Sequence, residues 1–421
     1  MAVTAAAAPV VLTGARVVTT DTVLDDGWIA CDDGKIAEVG AGAPPMSATI
    51  RQLSGGWLVP GFVDLHCHGG AGASFASADP AQARTAAAFH TRHGTTTMLA
   101  SLVTAGPGEL IRQIQVLRAV VEAGDTAVVG IHLEGPFLSA HRCGAHDRRL
   151  LIDPDESWLR RWHEAAGGAL RMVTIAPELS GALELIGVMT ALGTVAAIGH
   201  TDADYDTALA GFRAGASVAT HLFNGMSGVH HRRPGPVLAA LESAAICEII
   251  NDGAHVHPSM ARLVHRWNPQ LLALVTDAIE AAGQGDGSYE LGGQSVTVTD
   301  GVPRISSRSN VPNGDGDGDG DGDGDGDNAG DGHGDGHGGS LAGSTLTLDQ
   351  ALRRAITEVG LCMVDAVRAV ATTPARALGL EHRLGRIAPG LAADLVWLDE
   401  DLRVGAVLRA GRQVHGATVE L

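Results

Sequence analysis

From Val59 onward the chain repeats one pattern, in which a short run of β-branched and other apolar residues is followed by an Ala-rich stretch with apolar positions at helical spacing. Runs with so little polar alternation belong to strands buried on both faces, as in a parallel sheet covered by helices. The pattern predicts eight strands: PGFVDLH (60–66), TTTMLAS (95–101), AVVGIHLE (127–134), RMVTIAPE (171–178), VAAIGH (195–200), SVATH (217–221), ICEIIND (246–252) and LLALVTD (271–277). Helical patterns separate them, for example at Pro80–His93, Pro107–Ala123, Pro154–Ala166 and Ala203–Ala214, several opening on a proline whose missing N–H is harmless in a first turn. The last helix is expected at Leu348–Val359. Eight such units suit a closed (β/α)8 barrel of the TIM type. An open doubly wound sheet is the alternative, but no Gly-rich phosphate fingerprint follows the first strand.

The flanks read differently. Residues 10–55 are short strands with turn signals at Asp26-Gly27 and Asp33-Gly34, and residues 383–420 repeat that style. Both chain ends are therefore expected to pair into one small β-sandwich domain (1–57 and 380–421) beside a barrel spanning 58–379. After the eighth strand, YELGGQSVTVTDGVPRI predicts a hairpin turning at Asp300-Gly301 and placed over the barrel mouth. A Gly/Asp-rich insertion at about 310–339 follows, unable to bury apolar surface and self-repelling, hence expected to be disordered and dispensable. It has neither the apolar position of a calcium-binding nonapeptide repeat nor the ligand spacing of an EF-hand.

Composition narrows the partners. With 421 residues, 45% of them hydrophobic, the chain has ample material for a large core. The formal charge of -19 is partly local: nine aspartates lie between Asp315 and Asp335, and the remaining balance is near -10. An acidic chain without a Lys/Arg-rich stretch excludes nucleic acid and anionic membrane as partners and leaves a small molecule. Five scattered cysteines with no CxxC pair fit a reducing cytoplasm, and the N-terminal stretch lacks the basic start of a signal peptide.

In a barrel of this class the chemistry sits at the carboxyl ends of the strands. Here strand one ends in His66-Cys67-His68, strand three in Glu134, strand five in His200, strand six in His221 and strand eight in Asp277. Alternation puts His66 and His68 on one face and Cys67 on the other; Cys67 and Cys143 are read as structural. Side chains that each close a strand of one cylinder converge on its axis. Nitrogen and carboxylate donors without thiolate suit Zn²⁺, or Fe²⁺, Mn²⁺ or Co²⁺. Glu134, His200 and His221 supply three ligands, and Asp277 is placed to move a proton between water and a leaving amine.

The segments PGFVDLHCHG, HGTTT, HLEGPFLSAHRCGAHD, GHTDA, HLFNGM, RRPG, NDGAHVHP, LVTDA and LAGST occur in order. As a set they resemble the N-acetylglucosamine-6-phosphate deacetylases of the amidohydrolase superfamily, from Pro60 to about Leu380 apart from the Gly/Asp run. The resemblance implies hydrolysis of N-acetyl-D-glucosamine 6-phosphate to D-glucosamine 6-phosphate and acetate, in amino-sugar catabolism and cell-wall recycling. It makes Glu134, His200 and His221 the catalytic metal ligands, Asp277 the general base and acid, and His146 a polariser of the acetyl carbonyl. Ala145, Asn224, Gly225, Arg232, His255 and the segment Leu341, Ala342, Gly343 are implied to contact sugar and phosphate. Some family members lack the strand-one HxH and use one metal, so His66 and His68 imply a second divalent ion. The segment usually written HREPG reads His231-Arg232-Arg233-Pro234-Gly235 here, with Arg233 in place of an acid. A homodimer in which the partner chain reaches the phosphate is also implied.

Rival readings are deacetylation of the galactosamine epimer, cyclic amide hydrolysis, and a barrel scaffold that has lost catalysis. No lysine closes a strand to serve as a carboxylated bridging ligand, which disfavours the cyclic-amide reading. The intact ligand set disfavours the scaffold.

Overall fold

The computed structural model describes residues 10–45, 49–306 and 339–416. The Gly/Asp-rich run, and the expectation attached to it, lies outside the described residues. All eight parallel strands are present, at Phe62–Asp64, Thr95–Val103, Val128–Glu134, Leu170–Ile175, Val195–Ile198, Val218–Ala219, Ile246–Ile250 and Leu272–Val275. They pair in chain order from the first to the last. Each ladder is parallel and each strand is almost wholly buried, as helices on the outside of a barrel require.

The ring closes just beyond the regular strands. Cys67 and Ala278 form a parallel bridge, the Asp277 N–H donates to the His66 carbonyl at 2.8 Å, and the His68 N–H donates to the Ala278 carbonyl at 2.8 Å. Asp64 reinforces the seam from inside the wall by accepting the Thr276 hydroxyl at 2.6 Å and the Thr276 N–H at 3.2 Å. Burial pushes the Asp64 carboxyl up to about 7 despite these bonds.

Helix boundaries follow capping chemistry more closely than proline. Pro107–Ala123 is helical throughout and ends on Gly124 at φ 65°, but the third helix begins at Glu156 rather than Pro154. Asp155 caps it by accepting the Ser157 N–H at 2.7 Å. Asp204 does the same for Tyr205–Arg213, so the helix expected from Ala203 starts two residues later. The expected helix at Leu348–Val359 is α-helical to Arg354 and continues as a π-turn over Ala355–Val359. It is not the last helix: further helical turns run from Met363 to Ala377, because Pro374 falls in the first turn of Thr373–Ala377, where proline is tolerated.

Strands from both chain ends form one mixed eight-stranded sheet. It forks at Val10–Val18, whose first half pairs with Thr49–Gln52 and whose second half pairs with Trp57–Pro60. Trp57–Pro60 lies antiparallel to Leu395–Leu398, so alternate residues face opposite ways: Val59 and Val396 join the barrel core, while Leu58 and Leu395 face the sheet's own core. Asp33-Gly34 makes the expected turn, with both residues at positive φ. Asp26-Gly27 does not. It lies inside the strand Val23–Asp32, where the pairing slips between Ala15 and Val17, and a Cβ on Gly27 would come within 2.6 Å of Val17.

The expected hairpin is a three-stranded meander, Gly287–Leu291, Gln294–Thr299 and Val302–Ile305, with a second turn at Gly292-Gly293. Its apolar face packs on Val103 at the end of the second barrel strand, Ile279 after the eighth, Ala342 and Ala145. It therefore covers one side of the barrel mouth.

Candidate metal centre

Three of the residues that close barrel strands adopt left-handed backbone: His200 at φ 48°, His221 at φ 27° and Asp277 at φ 48°. Non-glycine residues are held there only when their surroundings fix them, and such strain gathers at functional sites. The bend accompanies side chains that point inward, His200 and His221 onto the carboxylate of Glu134 at the end of the third strand and Asp277 onto His66 and His68.

That carboxylate divides two ligand sets between its oxygens. Glu134 Oε1 lies 2.9 Å from His200 Nε2 and 3.0 Å from His221 Nε2, and the two nitrogens are 3.0 Å apart. Glu134 Oε2 lies 3.2 Å from His68 Nε2 and 3.5 Å from His66 Nε2, with 3.0 Å between these nitrogens. Asp277 Oδ1 completes the second set at 3.2 Å from His68 and 3.5 Å from His66. Ligands around a tetrahedral Zn²⁺ at its usual bond lengths stand roughly 3.3 Å apart, so both sets have the spacing of a divalent-metal site. All six side chains are buried.

Hydrogen bonds on the far sides of the rings fix which nitrogen keeps its lone pair. His200 Nδ1 donates to the Arg142 carbonyl at 2.9 Å, His68 Nδ1 to the Ser101 carbonyl at 3.2 Å, and His66 Nδ1 to Glu248 Oε2 at 3.3 Å. A proton on Nδ1 leaves Nε2 free to ligate, the usual arrangement of metal-binding imidazoles. His146 is wired the other way. Its Nδ1 accepts the Thr104 N–H at 3.3 Å, which puts the proton on Nε2, 3.4 Å from Glu134 Oε2. It is thus a donor facing the same centre and not a third ligand. Burial holds its pKa down to about 4, so it donates as neutral imidazole.

Charges in the cluster balance in pairs. Burial alone would lower His66 and His68, but Glu134 and Asp277 outweigh it and raise both. Conversely, burial alone would raise Glu134 and Asp277; the rings around them outweigh it, pulling Glu134 well below its usual range and Asp277 to about 2. A centre whose carboxylates stay ionised and draw positive charge onto His66 and His68 is one that seeks cations.

The remaining expected residues fall into place unevenly. The Leu341–Gly343 segment runs along the meander edge, with the Ala342 N–H on the Pro303 carbonyl at 3.2 Å, and reaches Asp277, whose carbonyl accepts the Ser344 N–H at 2.8 Å. Gly225 lies behind His200, where a Cβ would stand 2.9 Å from His200 Nδ1, and Asn224 donates to the His221 carbonyl at 3.3 Å. His255 is buried and held by Asp252 Oδ2 at 2.7 Å; burial would lower it, but Asp252 outweighs that and raises it. Arg232 stands apart, exposed, with Nη1 donating to His231 Nε2 at 2.8 Å.

Cys67 points away from the centre, as alternation requires, and meets His90 Nε2 at 3.2 Å. Asp64, Cys67 and His90 also cluster, but His90 Nε2 donates to the Gly69 carbonyl at 2.9 Å and Asp64 serves the barrel seam. Burial raises the Cys67 thiol well above its ordinary range, so this trio is an internally bonded packing unit. Cys143 is buried and accepts from Arg148 Nε at 3.3 Å. Sequence reasoning missed Thr104, which orients His146, and Glu248. The latter was visible as an acid in the middle of the apolar run ICEII.

Among the described residues no helix is long and apolar enough to cross a membrane. The Amidohydrolase family model matches residues 57–414. N-acetylglucosamine-6-phosphate deacetylase of Bacillus subtilis is 32% identical over 402 residues, 92% of each chain. N-acetylgalactosamine-6-phosphate deacetylase of Escherichia coli O157:H7 is 31% identical over 96% of this chain and 98% of that one. A solved structure of N-acetyl-D-glucosamine-6-phosphate deacetylase from Mycobacterium smegmatis, an aspartate-to-alanine variant in complex with N-acetyl-D-glucosamine-6-phosphate, has a TM-score of 0.86 and 42% identity, covering 97% of this chain and 99% of that one. With two carboxylate-bridged histidine sets at the mouth of an eight-stranded barrel, and relatives that match it almost end to end, the chain belongs to the amidohydrolase family.

Proposed function

We infer that this chain is a metal-dependent deacetylase that hydrolyses N-acetyl-D-glucosamine 6-phosphate to D-glucosamine 6-phosphate and acetate. The observation that carries the reading is the Glu134 carboxylate, shared between His200/His221 and His66/His68 and faced by Asp277. Divalent cations held by these sets, two per chain and Zn²⁺ by donor preference, with Fe²⁺, Mn²⁺ and Co²⁺ as alternatives, supply an acidified water and a Lewis acid toward an amide carbonyl.

The protein's own groups do the rest. Asp277, ionised and at the mouth, takes a proton from the attacking water and returns it to the amine nitrogen as the C–N bond breaks. His146 donates its Nε2–H to the acetyl oxygen as negative charge develops there. His255, whose protonated form Asp252 favours, and the Asn224-Gly225 turn receive the phosphate and hydroxyls, with Ala145 and Leu341–Gly343 forming the opposite wall. Arg232, exposed on its loop, is assigned to the phosphate across a homodimer interface, where a partner chain completes the site. A cytoplasmic role in amino-sugar catabolism and cell-wall recycling accords with this chemistry.

The galactosamine epimer is the second reading, favoured by the similarity to the Escherichia coli relative. Acetate release from each 6-phosphorylated N-acetylhexosamine, with and without chelator, tests both. Chelator-sensitive turnover preferring the glucosamine compound is expected. Chelator-insensitive turnover would remove the metal reading, and preference for the epimer would exchange the substrates.

A further inference from the structure

Glu248 is a carboxylate in the middle of the seventh strand, and no part of its side chain reaches solvent. Taking a carboxylate out of water there disfavours folding unless strong partners offset it. Among the described residues its side chain makes two polar contacts, and both are with residues of the metal centre. Oε2 accepts from His66 Nδ1 at 3.3 Å and from the His221 backbone N–H at 3.2 Å, whereas Oε1 is buried without a hydrogen-bond partner. One oxygen therefore touches a ligand residue of each set from below. A residue retained for packing alone would be apolar here, like its neighbours Ile246, Cys247, Ile249 and Ile250.

The two contacts differ in kind. At His221 the carboxylate holds a peptide N–H, and the His221 ring is not its partner. At His66 it holds the ring itself, in the tautomer that leaves Nε2 unprotonated, while the His132 ring stands edge-on at 4.6 Å and the His221 ring is stacked at 5.5 Å. Without this acceptor the Nδ1–H of His66 is left unpaired in the barrel wall, and moving the proton to Nε2 removes the ligand lone pair. The His200/His221 set loses only an acceptor for the His221 backbone N–H, while the His200 ring is held independently by the Arg142 carbonyl.

We propose that Glu248 is a positioning residue that makes the His66/His68 half of the centre competent to hold its own ion, and so decides whether the chain carries two metals or one. This rests on the two-ion reading above. The test is metal stoichiometry and affinity, by calorimetric titration of chelator-treated full-length protein with Zn²⁺ and by the absorbance of Co²⁺-loaded protein. Wild type is expected to bind two ions per chain. Glu248→Leu should bind one, with the weaker site's Kd raised about a hundredfold or more and the other unchanged. Glu248→Gln, nearly isosteric and still an acceptor, should keep two ions with the same site weakened roughly tenfold. Two ions at unchanged affinity in Glu248→Leu, or equal weakening of both sites in either variant, overturns the inference and leaves the deacetylase reading intact. A single ion on wild type overturns the two-ion reading and this inference with it. Should Glu248→Leu not fold, Glu248→Gln decides alone, through whether the weakening is confined to one site.

Discussion

Replacing Asp277 with asparagine tests proton transfer while leaving the backbone and the Glu134/His200/His221 set in place; it also takes one carboxylate from the His66/His68 set. Its backbone closes the barrel, donating to the His66 carbonyl and accepting from Ser344, both at 2.8 Å, and these bonds survive any side-chain change. Its φ of 48° lies in the left-handed region, where asparagine is among the best tolerated residues, so Asp277→Asn adds no backbone strain. The Glu134/His200/His221 set does not include Asp277 and keeps its ion. What is lost is a group held ionised, with its pKa drawn down to about 2 by the rings around it, in favour of an amide that cannot take a proton from water. Loss of a positioned acid–base group lowers turnover by about 10²–10⁴-fold, or roughly 3–5 kcal/mol in barrier. The assay is coupled acetate release under saturating substrate, with metal content and melting temperature measured on the same preparation. Expected are a kcat reduced by that factor, a KM within a few-fold of wild type, and near-normal stability. A kcat within tenfold of wild type refutes the proton-transfer role, and so does a loss of turnover that extra metal restores.

Three further expectations follow from other contacts. His146→Ala should lower kcat by about 10²–10³-fold with little change in KM, since an Nε2–H donor matters only as charge develops on the acetyl oxygen; a change confined to KM would make His146 a binding residue. His255 has a raised pKa because Asp252 outweighs its burial, so its positive charge is fully present below the ordinary imidazole value and is lost as pH climbs through the raised one. KM for the phosphorylated substrate should therefore rise on the alkaline side, and Asp252→Asn should move that rise to lower pH; a pH-independent KM argues against a phosphate contact. Gly343→Ala places a Cβ 2.6 Å from Ile279 and 2.8 Å from the Asp277 carbonyl at φ 61°. Destabilisation of roughly 1–3 kcal/mol, seen as a lower melting temperature together with reduced kcat, is expected, and an unchanged melt contradicts the close packing.

The barrel was legible because its strands are apolar on both faces and its chemistry is confined to their last residues. His66, His68, Glu134, His200, His221 and Asp277 could be picked out from position alone, since the cylinder itself brings them together. Helix starts were less legible, because Pro154 and Ala203 gave weaker signals than the capping aspartates beside them. Asp26-Gly27 misled because a bulge and a turn use the same residue types, and only pairing to Val10–Val18 distinguishes them. Thr104 escaped notice because its contribution is a backbone N–H, which leaves no trace in residue identity. Arg232 illustrates the converse: its motif is plain in the chain, yet its guanidinium stays at the surface of the fold.

The seam between Cys67 and Ala278 joins segments about two hundred residues apart, and His66, His68 and Asp277 of the candidate metal centre flank it. A nascent polypeptide that has not yet emerged as far as Ala278 therefore has an open barrel, with His66 and His68 still lacking their eighth-strand neighbour.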